Sequence, residues 1–555
     1  MKPAPASFQR MKIPGWNADT LFLILVLLQT SVFWLFPMIP TSDGPVHLYN
    51  ALILKNYFLP ESAPLREFFV LNLLPNPNWL IQPILSLLLF VFSPNTAEKI
   101  LATGYLIGFP YAFRFALRQM RPSSEFLAFL ALPLTTQWLF FLGLYNFFYG
   151  TLLYLMILGY SEKYCRSPAR HHTFILSCLM ALLSLTHLVP CILSAVTLIV
   201  LEVWRFLAAR IPAASGGSTR QEPPPPQTGR ILTSLVIPAL VIGFFLIRKG
   251  TGEVFGFPDY PEMMKRLQII LSPKWLSAFT QSEFVPYGIL LTAFLSLFFY
   301  VFLQRRFHSS VRLWGGFFLV FFLLLALTLA VPSAASGGTV IYPRTALYML
   351  YMVLFMASFA AYSQEGRNFI VLLSAFLVLI LAGLHIHSFR SLNQLLKNYH
   401  SCDASISPGS LLVQVNFPSD TRSAKKRAWA ERLDPFYHQV MASAHKSAAI
   451  PLTHFTAHWD HHTVSYRKQW DLYSIVGKSL DEMELKPLEA DLSLFELKTG
   501  RAIDNILVWD IAPENLRSVE NTSLFQWIGN NYTAVCSSDT PGALRLYQRK
   551  SEKTA

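Results

Sequence analysis

Charge is scarce in this sequence. Of 555 residues, 14% are Asp, Glu, Lys or Arg and 53% are hydrophobic, where a soluble domain carries roughly 25% charge. The deficit is local. Residues 1–389 hold 26 Lys+Arg and 14 Asp+Glu, while residues 390–555 hold 19 and 18. That excludes a single soluble globule, a disordered chain and a fibrous repeat. Cysteine is sparse too. Cys165, Cys178, Cys191, Cys402 and Cys536 form no CxxC pair and no zinc-ligand spacing. A glycine-rich phosphate loop, a nucleophile elbow and a dinucleotide fingerprint are all missing, so nothing supports a cytosolic nucleotide-driven mechanism. Of the net charge of +13, the first part carries +12 by the counts above. That excess sits in loops between apolar runs, which is a topology signal and not the basic face of a nucleic-acid binder.

Long apolar runs are what the sequence does have. Eleven are of spanning length, roughly 17–25 residues: Leu21–Pro37, Ala97–Leu117, Phe126–Leu142, Leu144–Tyr160, Thr173–Leu188, Val189–Phe206, Ile231–Ile247, Pro286–Leu303, Leu313–Val331, Thr345–Ala361 and Phe369–Ile386. Trp79–Phe92 is shorter and contains Pro83, which suits an interfacial or re-entrant segment. Lys2, Arg10 and Lys12 precede the first run, so the N-terminus is expected in the cytoplasm. With eleven alternating spans, inner segments collect 17 Lys+Arg and outer ones before residue 390 collect nine. The expectation is a polytopic α-helical protein of the cytoplasmic (inner) membrane, with about 11 transmembrane helices over 1–388. Within it, 38–96 and 248–285 are external loops and 208–230, with its Pro223–Pro226 run, is a cytoplasmic linker.

Residues 389–555 read as an extracytoplasmic mixed α/β domain. Leu411–Asn416, Ile506–Ile511 and Ala543–Gln548 have strand character, and Ala424–Ala442 has helix character with Pro435 near a break. Cys402 and Cys536 lie outside the membrane in this topology, either as a disulfide or as two separate thiols.

Polar residues in apolar surroundings converge on the outer face. Asp43 and His47 follow the first run, Tyr145 and Asn146 separate the third from the fourth, and His187 lies between the fifth and sixth. Asp259 belongs to the long loop after the seventh, and Arg344 opens the tenth. Ionisable groups at membrane depth are costly and tend to mark sites. The sharpest local pattern is Asp43-Gly44-Pro45-Val46-His47. Asp43 at an N-cap and Pro45 in the first turn would start a helix over Val46–Phe58, with Asp43 and His47 on one face.

With an apolar span leading into Asp43-Gly44-Pro45-Val46-His47, and a soluble C-terminal domain, the chain resembles the GT-C superfamily of membrane glycosyltransferases. Phe141-Leu142-Gly143-Leu144-Tyr145-Asn146-Phe147 and Thr186-His187-Leu188-Val189-Pro190 also look like external helix-end sequences of bacterial members. The resemblance implies Asp43 as the catalytic carboxylate, a polyprenyl-phosphate sugar as donor, and an envelope glycolipid, a polysaccharide or a protein as acceptor, in cell-envelope biogenesis. Many members have two adjacent acids here, whereas Gly44 follows Asp43, so an acid pair for a divalent cation is not evident and the metal is left open.

Such a transfer needs a base for the acceptor proton, cations for the departing phosphate and an apolar groove for the isoprenoid tail. Asp43 is the base and His47 its catalytic companion. Arg344 fits the phosphate, with Arg248 and Lys249 at the end of the seventh run on the same side. His187, Tyr145, Asn146 and Asp259 complete the expected donor and substrate set. Four histidines, His454, His458, His461 and His462, crowd one stretch of the tail, and the first three would share a helical face. Two other functions fit the composition: a transporter or flippase, which expects acids at the bilayer midplane, and a non-enzymatic assembly protein, in which Asp43 is dispensable.

Overall fold

The structure is a computed structural model that describes residues 12–13, 16–167, 169–210, 226–249, 256–304, 311–332, 340–416, 433–459, 462–478, 489–509, 522–538 and 544–550. Apolar runs too long to stay in water become helices, because only a helix satisfies its own backbone inside lipid. They are α1 (Ala18–Trp34), α2 (Gly44–Asn56), α3 (Ile81–Leu88), α4 (Pro94–Met120), α5 (Tyr145–Arg166), α6 (Arg170–Thr186) and α7 (Leu188–Ala208). Then follow α8 (Thr228–Ser234), α9 (Val236–Lys249), α10 (Tyr260–Leu271), α11 (Phe284–Leu303), α12 (Val311–Ala330), α13 (Ile341–Ala357) and α14 (Gln364–Tyr399). Among the described residues, four helical stretches are both long and apolar enough to cross a membrane: α4, α7, Gln281–Leu303 and Gln364–Ser405. The α8–α9 pair, bent by 42°, makes a fifth if it is one span, and shorter apolar helices stand between them.

Two expected runs take other forms. Phe126–Leu142 is not one α-helix. It divides into a 3-10 helix over Pro122–Leu134, with Pro133 inside it, and a four-residue turn of helix at Trp138–Phe141. Pro133 brings no N–H to the ladder, and past it Trp138 N–H donates to Leu276 O (2.8 Å) in another part of the chain. A 3-10 helix rises ~2.0 Å per residue, so this segment, buried from Phe126 to Leu134, still covers much of the ~30 Å apolar thickness. The Trp79–Phe92 run contains only the 8-residue α3, which at ~1.5 Å per residue falls far short of a span. Its inner side packs through Ile81 and Leu85, while Leu87, Phe90 and Val91 stay exposed, as an interfacial segment requires.

The 36 residues of α14 extend for ~54 Å, beyond the thickness of any bilayer, and the helix carries the C-terminal domain on its end. That domain has a five-stranded sheet built from β2 (Leu411–Asn416), β3 (Ile450–Pro451), β5 (Asn505–Trp509), β6 (Tyr532–Ser538) and β7 (Leu544–Arg549), in the order β3-β2-β5-β7-β6. β2 is parallel to β3 and β5, whereas β7 is antiparallel to β5 and β6. A separate antiparallel pair joins β1 (Phe69–Leu71), from the first external loop, to β4 (Val464–Tyr466) of the domain. Of the expected helix over 424–442, residues 424–432 lie outside the described residues, 433–438 form a turn around Pro435, and only the end is helical, as the start of α15 (Gln439–Ser447). Cys402 and Cys536 form a disulfide, which pins the start of the domain to β6. The linker residues 211–225 and the loop residues 250–255 lie outside the described residues.

Deep in the helical part, Arg205 is paired with both Glu162 and Glu202, and Glu202 also accepts the Gln227 N–H (2.7 Å). The one acid well inside an expected span is therefore committed to holding the end of the linker.

Candidate active site at the helix ends beneath the C-terminal domain

Two chain crossings create the site. Ser42 and Asp43 donate their backbone N–H groups to Phe141 O (3.1 Å) and Leu142 O (3.0 Å), which joins the link after α1 to the turn before α5. Gly143 makes the crossing close enough. It has φ +82°, and a Cβ there would stand 2.8 Å from Gly44 N and 3.0 Å from Asp43 N. Gly143→Ala should therefore lose stability by ~1–3 kcal/mol, read as a lower melting temperature of the purified protein, and the transfer activity proposed below should fall with it.

Asp43 sits at the N-cap of α2, but its side chain makes no capping bond. Pro45 in the first turn starts the helix without it, so the carboxylate is left for other work. Burial pushes the Asp43 carboxyl up to about 7, against a smaller opposing pull from Arg344. His438 of the C-terminal domain reaches it from above, with Nε2 3.6 Å from Oδ1.

Arg344, in the first turn of α13, is 6% exposed. Its guanidinium lies over the Phe147 ring, 5.4 Å from the centroid, and its Nη1 is 2.9 Å from His187 Nε2. His187 caps α7 by accepting the Val189 N–H at Nδ1 (3.1 Å). In the neutral ring the proton then belongs on Nε2, so two donors, Nε2–H and Nη1–H, face each other with no acceptor between them. Arg344 Nε is also buried without a partner. Converging donors of this kind suit an anion, which would accept from both.

Other expected residues support this centre. His47 Nδ1 is 3.2 Å from Gln82 Nε2, and the ring also hydrogen-bonds the Gly143 backbone while burial pulls its pKa down to about 4. With both ring nitrogens engaged, it braces the crossing beside Asp43 as a neutral group. Asn146 accepts the Ile81 N–H (3.2 Å) and donates to Asn78 O (3.2 Å), which fixes the loop leading into α3. Tyr145 O–H donates to Glu98 Oε1 (2.6 Å), and Thr41 O–H donates to the same oxygen (2.9 Å).

Glu98 was not anticipated. It occupies the first turns of α4 and is 5% exposed. A Cβ on Gly44 would lie 1.9 Å from its Oε1. Gly44 thus follows Asp43 because a carboxylate from another helix fills the space a side chain would need. The signal was present in the sequence: an acid opens an otherwise apolar run, but at a run's end it reads as a solvated flank.

Two expected residues do not join the cluster. Arg248 is exposed and donates to Asn72 Oδ1 (3.1 Å). Asp259 is exposed and caps α10 by accepting the Glu262 N–H (3.0 Å). The Lys249 side chain lies outside the described residues. Nor do the tail histidines share a helical face. The helix there is only Phe455–His458, His454 turns to Asn50 (2.9 Å), His458 turns to Asp471 (2.8 Å), and His461 lies outside the described residues. Among the described residues no three His, Cys, Asp or Glu side chains converge where a metal ion could be held. The open question of a divalent cation therefore finds no ready ligand set among the described residues.

No family model and no curated protein matches the sequence. Among solved structures, the chain is similar to ArnT from Cupriavidus metallidurans in the apo state, with a TM-score of 0.52 at 9% identity over 95% of this chain and 97% of that one. It is also similar to the same protein bound to undecaprenyl phosphate, with a TM-score of 0.50, 9% identity and the same coverage. The chain is thus an α-helical membrane protein with a C-terminal mixed α/β domain. Its fold is similar to that of ArnT along nearly the whole of both chains.

Proposed function

We propose that this chain is a membrane glycosyltransferase that moves a sugar from a polyprenyl-phosphate donor to an acceptor on the side of the membrane where the C-terminal domain lies. The observation that carries the reading is the pair of opposed donors, Arg344 Nη1–H and His187 Nε2–H, set near the part-buried carboxyl of Asp43, which burial pushes up to about 7. An acceptor hydroxyl attacks the sugar's anomeric carbon and gives its proton to Asp43. The bond from that carbon to the phosphate oxygen breaks, and polyprenyl phosphate leaves with the electron pair. Arg344 and His187 hold the departing charge. An apolar cavity of about 510 Å³, lined by Trp275, Phe294, Phe298, Phe321 and Met349, shares helix α13 with Arg344 and offers a place for the isoprenoid tail. The solved complex of ArnT with undecaprenyl phosphate adds to this choice of lipid.

The domain and topology readings follow. Residues 1–388 form the membrane part and 389–555 an extracytoplasmic domain of the inner membrane, supported by the Lys+Arg asymmetry and by the Cys402–Cys536 disulfide, which belongs in an oxidising compartment. A membrane-impermeant maleimide applied to intact spheroplasts should label Cys402 and Cys536 after mild reduction and fail before it. Labelling only in ruptured cells would reverse the orientation.

The activity is tested by reconstituting the protein in liposomes with a panel of radiolabelled polyprenyl-phosphate sugars and membrane acceptor extract. The expected result is label in the acceptor fraction with one donor. Binding of no donor and transfer from none would remove the reading. A transporter gains little from this structure, since Glu202 is already committed to Arg205 and Gln227.

A further inference from the structure

The C-terminal domain meets the membrane part at one place with unusual polarity. Ser42 O–H donates to Asp434 O (3.2 Å), so the chain just before α15 lies directly over the turn that bears Asp43. Tyr49 O–H, on α2, donates to Ala449 O (2.8 Å). Asn50 donates to Thr456 Oγ1 (3.1 Å), and its Oδ1 is 2.9 Å from His454 Nε2. Thr456 Oγ1 is in turn 3.3 Å from His454 Nδ1. These three side chains close a ring in which each donor has an acceptor, which fixes His454 as a structural clamp between α2 and the domain.

His438 sits within the same interface but is directed differently. Its ring stacks on Phe455, with centroids 4.5 Å apart and planes 25° from parallel, so packing locks its orientation. It is 5% exposed, and its Nε2 points at Asp43 Oδ1, 3.6 Å away. Burial, and then the neighbouring His454, hold its pKa down to about 3. At neutral pH it is therefore an uncharged ring beside Asp43, and in the tautomer with its proton on Nε2 it directs an N–H dipole at the carboxylate.

We propose that His438 is a positioning residue for Asp43, so that the C-terminal domain supplies one wall of the reacting centre and the membrane part alone does not contain a complete site. The inference rests on the reading of Asp43 as the reacting carboxylate. The other titratable and charged groups around Asp43 come from different elements: Arg344 on α13, His187 facing it, His47 further along α2, Glu98 against Gly44, and His454 behind His438. From the domain, His438 stands against the carboxylate. An imidazole N–H aimed at Oδ1 favours the ionised acid and restricts it to the rotamer that faces the Arg344–His187 pair.

The test reads Asp43 directly and needs no knowledge of the sugar. Dicyclohexylcarbodiimide modifies a carboxyl only while it is protonated. The full-length protein in lipid nanodiscs is treated across neutral pH, and the Asp43 adduct is quantified by peptide mass spectrometry. The parent should show a midpoint near the value of about 7 given by burial. His438→Phe, which keeps the stack on Phe455 but removes the N–H, should move that midpoint up by about one pH unit. His438→Gln, which restores a donor, should bring it back most of the way. If His438→Phe is poorly folded, His438→Leu serves, with retention of the Cys402–Cys536 bond as the check of folding. An unchanged or lowered midpoint in the apolar variant overturns the proposal. A raised midpoint together with no transfer from any donor would remove the proposed activity and leave the His438–Asp43 pairing standing.

Discussion

Asp43→Asn should lower kcat for the proposed sugar transfer by ~10²–10⁴-fold while donor binding stays nearly unchanged. That is the usual loss on removing a positioned general base, and Asn keeps the shape and polarity of the neutral acid. The parent should have a matching pH profile. Asp43 must be ionised to accept a proton, and its pKa is near 7, so kcat/KM should climb through neutrality and level off above it. In Asp43→Asn the residual rate should lose that limb. Stability moves the opposite way. The folded-state pKa lies above the ordinary carboxylate value of 3.8, so the stability contributed by this group is fully present at acid pH and is lost as pH rises through about 7. At alkaline pH the Asn variant should therefore melt higher than the parent. A variant that is both inactive and less stable there would point to a capping role for Asp43 and against the base. If the chain is an assembly protein, activity in cells would survive the change.

The second large effect belongs to Arg344. Arg344→Ala should cost ~10²–10³-fold in kcat, the scale of losing one donor to a developing oxyanion, and should also weaken binding of polyprenyl phosphate itself, measured by quenching of tryptophan fluorescence. Arg344→Lys should recover only a fraction. A lysine ammonium is a point charge that cannot keep a fork in the plane of His187 and over Phe147 while also meeting phosphate. If both variants bind the lipid as the parent does, the cation serves packing, and the anion site must be sought elsewhere.

The helical part and the strands of the tail were largely legible in the sequence because hydrophobic length and alternation are local properties. Leu411–Asn416 forms the strand its alternation indicates, and Arg344 stood out as the only cation in its loop. The companions of Asp43 were harder to see. Glu98 and His438 reach it from positions 55 and 395 residues along the chain, and nothing in their own neighbourhoods marks them. Glu98 resembles a helix-flanking acid, and His438 lies outside the conspicuous histidine stretch that drew notice. Asp259 and Arg248 show the reverse case: polar loop residues whose hydrogen bonds are satisfied locally, by a helix N-terminus and by Asn72. For His47, a spacing of four says where a ring points and not that Gln82 and the Gly143 backbone already hold it.

The clamp between Asn50 and His454 joins residues 404 positions apart. At roughly 5–20 residues per second, a ribosome needs about 20–80 s to deliver the second half after the first has emerged. Through that interval the outer surface of α2 waits uncovered at the bilayer, and a chain cut short before His454 leaves it so. Assembly of the centre is thereby coupled to synthesis past that residue: no shorter product can close the Asn50–His454 clamp over α2.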